Sequence, residues 1–314
     1  MSDNRNLTRV LALLGGVLLV ASASIMIRQA QRLGVSSPLI AAGRLGLAAI
    51  ILTPIAIARV WPEIRRLSQS DLLLGIGSGA FLALHFSAWI RSLEYTSVAS
   101  SSALVATNPL WIALASVLLF RQRLAAPTWL GVLITVAGSV LIAISDSDGA
   151  GGSNALLGDG LALLGALAGS GYFLIGAALQ RRLSTLAYIW LVYSSAAVIL
   201  ALVALGSGRA SAAAPSYPPA AYLLLLGLAL GPQLLGHTAF NWSLRHLSAA
   251  FVAVVALGEP IGAALMALAL FGQAFQPLQL FGFMILLVGI AIAARGERAG
   301  KETAINASEL PAAR

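Results

Sequence analysis

The chain has 314 residues, of which 59% are hydrophobic and 10% charged; its formal net charge is +8 and it has no cysteine. Soluble domains carry about 25% charged residues, so this sequence lacks the polar side chains to cover a water-facing surface, and lipid is the solvent it implies. The missing cysteines exclude disulfides and Cys-based metal sites, and the positive charge does not point to nucleic acid, because it lies in short loops between apolar runs.

A helix crosses the hydrocarbon core in about 20 apolar residues. That length predicts ten spans, near 8–27, 37–58, 71–90, 97–119, 127–144, 161–180, 185–205, 219–241, 248–270 and 278–295. Pro38, Pro62, Pro127, Pro215, Pro218, Pro219 and Pro277 fall at or near span ends. Arg5, Arg9, the first apolar run and Ala21-Ser22-Ala23 together have the outline of a cleavable signal peptide. A retained first span is preferred, because cleavage would leave nine spans and spoil the repeat described below.

Span two contains Arg44, about eight residues inside its outer end. It can snorkel outward, pair with Glu94 or attract an anionic group; a structural role is preferred. In span three, Gly75, Gly77 and Gly79 permit close helix contact, as do Gly227 and Gly231 later. No strand or Lys-Ser pair accompanies them, so a phosphate-binding loop is excluded. His85 and Trp89 form an i, i+4 pair in the same span, with Ser92 one turn on. A buried histidine is either a proton carrier or, more commonly, a satisfied packing residue.

Span four carries Asn108-Pro109 and span nine carries Glu259-Pro260. Proline lacks the N–H donor and clashes with the carbonyl four residues back, so Pro109 and Pro260 predict a break in each helix. They free the carbonyls of Val105 and Ala256. Freed backbone groups at membrane depth are tolerated where protein or a polar cavity satisfies them. Glu259 is the only acidic side chain deep inside a predicted span. An ionisable group there costs about 2.5–3.5 kcal/mol on insertion scales, which suits a proton carrier, a partner for a substrate amine, or a group stabilising the kink. Span eight carries Gln233, His237 and Asn241 at i, i+4 and i+8, a polar stripe on one helical face that should turn away from lipid.

Trp61, Trp129 and Tyr217 read as interface anchors. Trp89, Trp111, Tyr172, Phe173, Trp190, Tyr193, Phe240 and Trp242 lie within the spans or near their ends. Trp111 is too deep for an anchor and either lines an apolar pocket or packs between helices.

Basic residues fall unevenly on the two sides of the ten spans. Arg5, Arg9, Arg59, Arg65, Arg66, Arg121, Arg123, Arg181, Arg182, Arg245, Arg295, Arg298, Lys301 and Arg314 share one side; Arg28, Arg32, Arg91 and Arg209 share the other. The positive-inside rule makes the first side cytoplasmic and both termini with it. Asp146, Asp148 and Asp159 cluster outside.

The two halves repeat. At an offset of 151 residues, Ser92, Leu93, Ser97, Ala99 and Pro109 meet Ser243, Leu244, Ser248, Ala250 and Pro260. Phe120, Gln122, Gly131 and Gly138 meet Phe271, Gln273, Gly282 and Gly289. Five spans are an odd number, so the second copy enters the membrane upside down. Inverted repeats mark secondary transporters, with the substrate site near mid-membrane between the halves; a duplication retained only for stability is the lesser alternative. The expected fold is therefore an all-α membrane protein: ten transmembrane helices in two inverted five-helix repeats, both termini cytoplasmic. The expected parts are residues 1–145, a polar Gly-rich linker 146–156, residues 157–298, and a tail 299–314.

The run Gly236-His-Thr-Ala-Phe-Asn-Trp-Ser-Leu-Arg245, followed by Glu259-Pro260, resembles the second repeat of the EamA branch of the drug/metabolite transporter superfamily. Its first-repeat counterpart is Ser92-Leu-Glu-Tyr-Thr-Ser97 followed by Asn108-Pro109, and the likeness covers residues 8–296. The resemblance implies a ten-helix bacterial inner-membrane protein exporting a small metabolite, with amino acids the leading class. The chain departs from the family's frequent Gly-Glu at Arg121-Gln122 and Gly272-Gln273, so no role for those glutamates transfers.

The residues expected to meet substrate are His85, Trp89, Asn108, Trp111, Gln233, His237, Asn241 and Glu259, between the broken helices at Pro109 and Pro260. Neither cofactor nor metal is expected. The expected partners are a small-molecule substrate and the lipid bilayer, with proton coupling an open option and neither monomer nor homodimer specified. Efflux of lipophilic drugs or cations is the alternative within transport. A membrane-embedded enzyme fits poorly without a Gly-x-Ser-x-Gly, a His-Glu-x-x-His or paired acids within a span, and a non-transporting scaffold is the remaining alternative.

Overall fold

The computed structural model describes residues 2–96, 98–119, 121, 124–145, 154–207, 217–247, 249–271 and 276–309, and among these it contains helices and no strand. The first repeat holds α1 (Ser2–Arg32), α2 (Ser37–Arg65), α3 (Gln69–Ser92), α4 (Val98–Val105), α5 (Asn108–Leu118) and α6 (Ala126–Ser145). The second holds α7 (Ala155–Leu179), α8 (Thr185–Gly206), α9 (Pro219–Leu228), a π-helical stretch (Ala229–His237), α10 (Thr238–Leu244), α11 (Ala249–Ala256), α12 (Gly258–Phe271) and α13 (Pro277–Glu309). Eight helical stretches are long and apolar enough to cross a membrane, and Ala126–Ile142 and Leu280–Ala293 are shorter apolar helices.

Local chemistry sets the ends. Gly34, at φ +87°, closes α1: the Val35 N–H reaches back to the Ala30 carbonyl at 3.1 Å, a left-handed cap that glycine adopts without strain. Ser68 and Ser184 cap α3 and α8 by accepting from the N–H groups of Asp71 (3.1 Å) and Ala187 (3.2 Å). Helices α1, α2 and α13 outrun the predicted spans, because the polar residues beyond the apolar segments continue the same backbone hydrogen bonding in water. The expected tail is accordingly helical as far as Glu309. The predicted linker lies mostly outside the described residues, as do Ser97, Phe120, Gln122, Arg123, Asp146, Asp148, Arg209, Ser248, Gly272 and Gln273.

The packing follows a two-fold relation between the halves. Helix α3 packs on α7, and its counterpart, the α9–π–α10 span, packs on α1; α1 packs on α12 as α7 packs on α4 and α5. Two pairs map onto themselves, α2 with α8 and α6 with α13. The α6–α13 contact runs antiparallel along small residues: Gly131 meets Ala293, and Gly289 faces the Gly131 carbonyl. The core is built of side chains such as Trp89, Tyr172, Tyr188, Tyr193, Phe86 and Phe240, while rows of exposed Leu, Ile and Val cover the outside. That inversion of ordinary surface chemistry suits a lipid surround.

Polar clasps join the halves at both ends of the bundle. Glu63 of α2 accepts from the Ser184 N–H (2.6 Å) and hydroxyl (2.7 Å) at the start of α8. Beside it, Arg182 pairs with Asp71 at 2.9 Å. At the other end Asp159 accepts from Thr96 and Ser100, both at 2.9 Å, and within the first half Arg28 donates to the Thr96 carbonyl at 3.0 Å.

Candidate functional site

Both fourth spans of the repeats are interrupted. Helix α4 stops at Val105 and α5 restarts at Asn108, so Pro109 sits in the first turn of a new helix, where its missing N–H costs nothing. In the second repeat α11 stops at Ala256 and α12 restarts at Gly258, one residue before Glu259-Pro260. Asn108 repairs its own break. With its amide nitrogen turned toward the available acceptors, it donates to the carbonyls of Val105 (3.2 Å) and Ala166 (2.5 Å). The Ser170 hydroxyl donates to the Asn108 carbonyl at 3.2 Å. Glu259 has no such anchor: it forms neither an ion pair nor a hydrogen bond among the described residues.

Between these breaks lies a narrow cavity of about 30 Å³. Three pairs of its lining residues are related by the offset of 151: Trp89 with Phe240, Val105 with Ala256, and Asn108 with Glu259. The cavity therefore straddles the relation between the halves. His85, His237, Tyr172 and Phe173 supply most of the remaining wall. His85 stacks on Trp89 with ring centroids 5.8 Å apart. Its Nδ1 lies 2.8 Å from the Gly165 carbonyl; a carbonyl only accepts, so Nδ1 carries the proton and donates. Gly169 belongs to the wall because a Cβ there would come within 3.0 Å of His85 and 3.4 Å of Asn108.

Five of the eight residues expected to meet substrate, His85, Trp89, Asn108, His237 and Glu259, line this cavity. The other three stand behind it. Trp111 is half-buried and donates from its indole N–H to the Thr107 hydroxyl at 3.2 Å. Asn241 is fully buried; it accepts from the Tyr172 hydroxyl at 2.7 Å and donates to the Tyr193 hydroxyl at 3.2 Å, while Gln180 donates to its carbonyl. Gln233 accepts from Arg44 Nε at 2.8 Å. Arg44 itself neither snorkels nor meets Glu94: it is completely buried, with its guanidinium 4.2 Å from the centre of the Phe86 ring.

Two features escaped the sequence reading. Tyr172, Phe173 and Phe240 were visible only as aromatics within spans, and nothing in the pattern aims them at one point. The span-eight stripe does turn inward, as its polarity requires, but through a π-helical stretch rather than a regular α-helix. Pro232 inside that stretch was the available signal, since proline cannot supply the ladder N–H. Single π-turns within helices recur at functional sites.

No curated protein matches the sequence. A solved crystal structure superimposes with a TM-score of 0.69 at 20% identity, over 93% of this chain and 98% of that one, which shows the fold alone. The EamA-like transporter family matches over residues 7–144 and again over 156–295, nearly the whole length in two consecutive copies. A duplicated helical unit, a cavity between the copies and this double match lead to one assignment: the chain belongs to the EamA-like transporter family.

Proposed function

We propose that this protein is a secondary transporter that exports small metabolites, amino acids foremost among them, by alternating access around the cavity between its two halves. On this reading the two shorter apolar helices span the membrane with the eight longer ones, giving ten spans, inverted repeats and two cytoplasmic termini in a bacterial inner membrane. The observation that carries the reading is the pairing of Asn108 with Glu259. The two residues follow breaks at equivalent positions, and both border one cavity. Broken helices at matched depth are where transporters of this architecture bind their cargo.

The wall combines aromatic surface with few polar groups, the composition of a small-molecule pocket. Glu259 is suited to a substrate ammonium group, or to a proton that the cycle moves in the substrate's place. The same acid amid His85, Trp89, Tyr172 and Phe240 also favours a second reading, efflux of lipophilic cations.

Purified protein in liposomes, tested for counterflow of labelled amino acids and of a lipophilic cation, separates the two. Counterflow of amino acids supports the first reading and of the cation alone the second. Neither, in vesicles with correctly inserted protein, removes both.

A further inference from the structure

Arg44 is an unusual group to find at this depth. It is fully buried on α2, and a single hydrogen bond, from Nε to Gln233 Oε1, joins it to another side chain. Neither Nη1 nor Nη2 has a partner among the described residues. Its stacking over Phe86 shelters the planar face but does nothing for the N–H groups at the edge. A guanidinium out of water needs acceptors for its donors.

The carboxyl of Glu259 acts on Arg44 electrostatically without hydrogen-bonding to it, and the side chains packed beside the guanidinium supply more donors. Because Arg44 Nε must meet an acceptor, the Gln233 amide is fixed with its oxygen toward the arginine and its NH₂ pointing elsewhere, and that nitrogen is also buried without a partner. Trp89 Nε1–H is in the same condition, and His237 Nδ1, a donor or an acceptor according to its tautomer, is also without a partner. All of these groups gather around one side chain. Phe86 carries Arg44 on its face, His237 packs 5.3 Å from it, Trp89 lies at 6.2 Å, and Gln233 is held by Arg44 itself. Trp89 and His237 are also part of the cavity wall. Directly behind the part of the wall that Trp89 and His237 form, Arg44 and Gln233 thus hold N–H groups with nothing to donate to, around a fixed positive charge.

The complement of such a cluster is a compact anion with several acceptor lone pairs. A carboxylate matches the fork of Nη1 and Nη2 by two parallel hydrogen bonds. We infer that Arg44, oriented by Gln233, is the anchor for a carboxylate of the transported substrate. This rests on the transport reading above and narrows it: cargo carries a carboxylate, and with Glu259 across the cavity a zwitterion is held by both its ends.

The test is thermal unfolding of the full chain in detergent with four probes that share one side chain: leucine, 4-methylpentanoate, leucinamide and 3-methylbutylamine. Leucine and 4-methylpentanoate should raise the midpoint by about 3–5 °C at saturation; leucinamide and the amine, lacking the carboxylate, should not. Arg44→Gln should weaken the response to leucine by about a hundredfold. Gln233→Glu guards against a variant that fails to fold. It supplies the anion from within, so the ligand-free chain should unfold at a higher temperature while the response to both carboxylates disappears. The anchor is overturned if the wild type responds to neither carboxylate, if the amine works as well as leucine, or if Gln233→Glu still responds like wild type. Leucine counterflow that persists in Gln233→Glu would also overturn it while leaving transport standing; a wild-type chain that moves no amino acid strikes the transport reading instead.

Discussion

Gly138 and Gly282 face each other reciprocally across the two halves. A Cβ on Gly138 would lie 2.8 Å from the Gly282 carbonyl oxygen, and a Cβ on Gly282 would lie 3.0 Å from that of Gly138. Gly138 corresponds by repeat to Gly289 and Gly282 to Gly131, and those two also meet. One contact is the other turned over, so α6 and α13 cross on the axis that relates the repeats. The backbones touch there with no side chain between them.

That crossing sets the first prediction. Gly138→Ala or Gly282→Ala should destabilise by about 1–3 kcal/mol, the usual cost of overpacking, despite alanine's better helix propensity. Gly46, inside α2, has nothing within 4 Å of its Cβ position, so Gly46→Ala should be neutral or slightly stabilising. Thermal unfolding in detergent reads both. Equal behaviour of the three variants would mean the crossing is looser than described.

Membrane topology is the second. Reporters fused after Arg66, Arg123 and Lys301 should signal from the cytoplasm, and one inserted at Gly151 from the other side. A cytoplasmic signal at Gly151 would remove the ten-span arrangement and the inverted relation together.

Much of this was legible in advance because it depends on local or periodic information. Apolar run length marks the spans, and the prolines mark the breaks before Asn108 and Glu259. The Arg44–Gln233 pair was not legible: its members are 189 positions apart, and polarity alone cannot tell which of several inward polar groups will meet. The π-helical stretch was missed for a different reason. Gln233, His237 and Asn241 suggest one face of an α-helix, and the same inward set is kept when the local winding changes.

Cysteine scanning distinguishes the wall from what stands behind it, and the chain has no native cysteine to interfere. Asn108→Cys and His237→Cys should react with water-soluble thiol reagents and be protected by substrate. Gln233→Cys and Asn241→Cys should react at least about tenfold more slowly, as buried thiols do. Uniform reactivity at all four would show that water reaches well past the lining described.

Asn241 makes a structural prediction of its own. Asn241→Leu leaves the buried Tyr172 hydroxyl without its acceptor and should cost about 1–3 kcal/mol. Adding Tyr172→Phe removes the orphaned group, so the double variant should be less destabilised than the sum of the two singles. Strict additivity in the unfolding midpoints would argue that this hydrogen bond contributes nothing.

Glu259→Gln keeps the shape of the side chain and fixes it neutral. If Glu259 carries a proton in the cycle, net proton-driven uptake should fall by about a hundredfold, within the range for losing a proton-transfer group, while substrate exchange continues. Loss of both activities together would make it a direct partner of the substrate, and retention of both a packing residue. Parallel uptake and counterflow measurements in proteoliposomes discriminate the three.

If the protein works by alternating access as proposed, the unlike pair at the two breaks has a consequence for the cycle as a whole. Were both halves chemically identical, exchanging their conformations would regenerate the same object viewed from the opposite side, and the inward- and outward-open states would be degenerate. Asn108 opposite Glu259 lifts that degeneracy, because one half brings to the cavity an amide tied to its own backbone and the other an untethered acid. On that reading the empty protein would rest unequally between its two orientations. A polar cargo also meets a different neighbour at each end, so it is held one way round. The duplicated frame is thus made unlike at its centre by residue differences such as this one and that of Trp89 with Phe240.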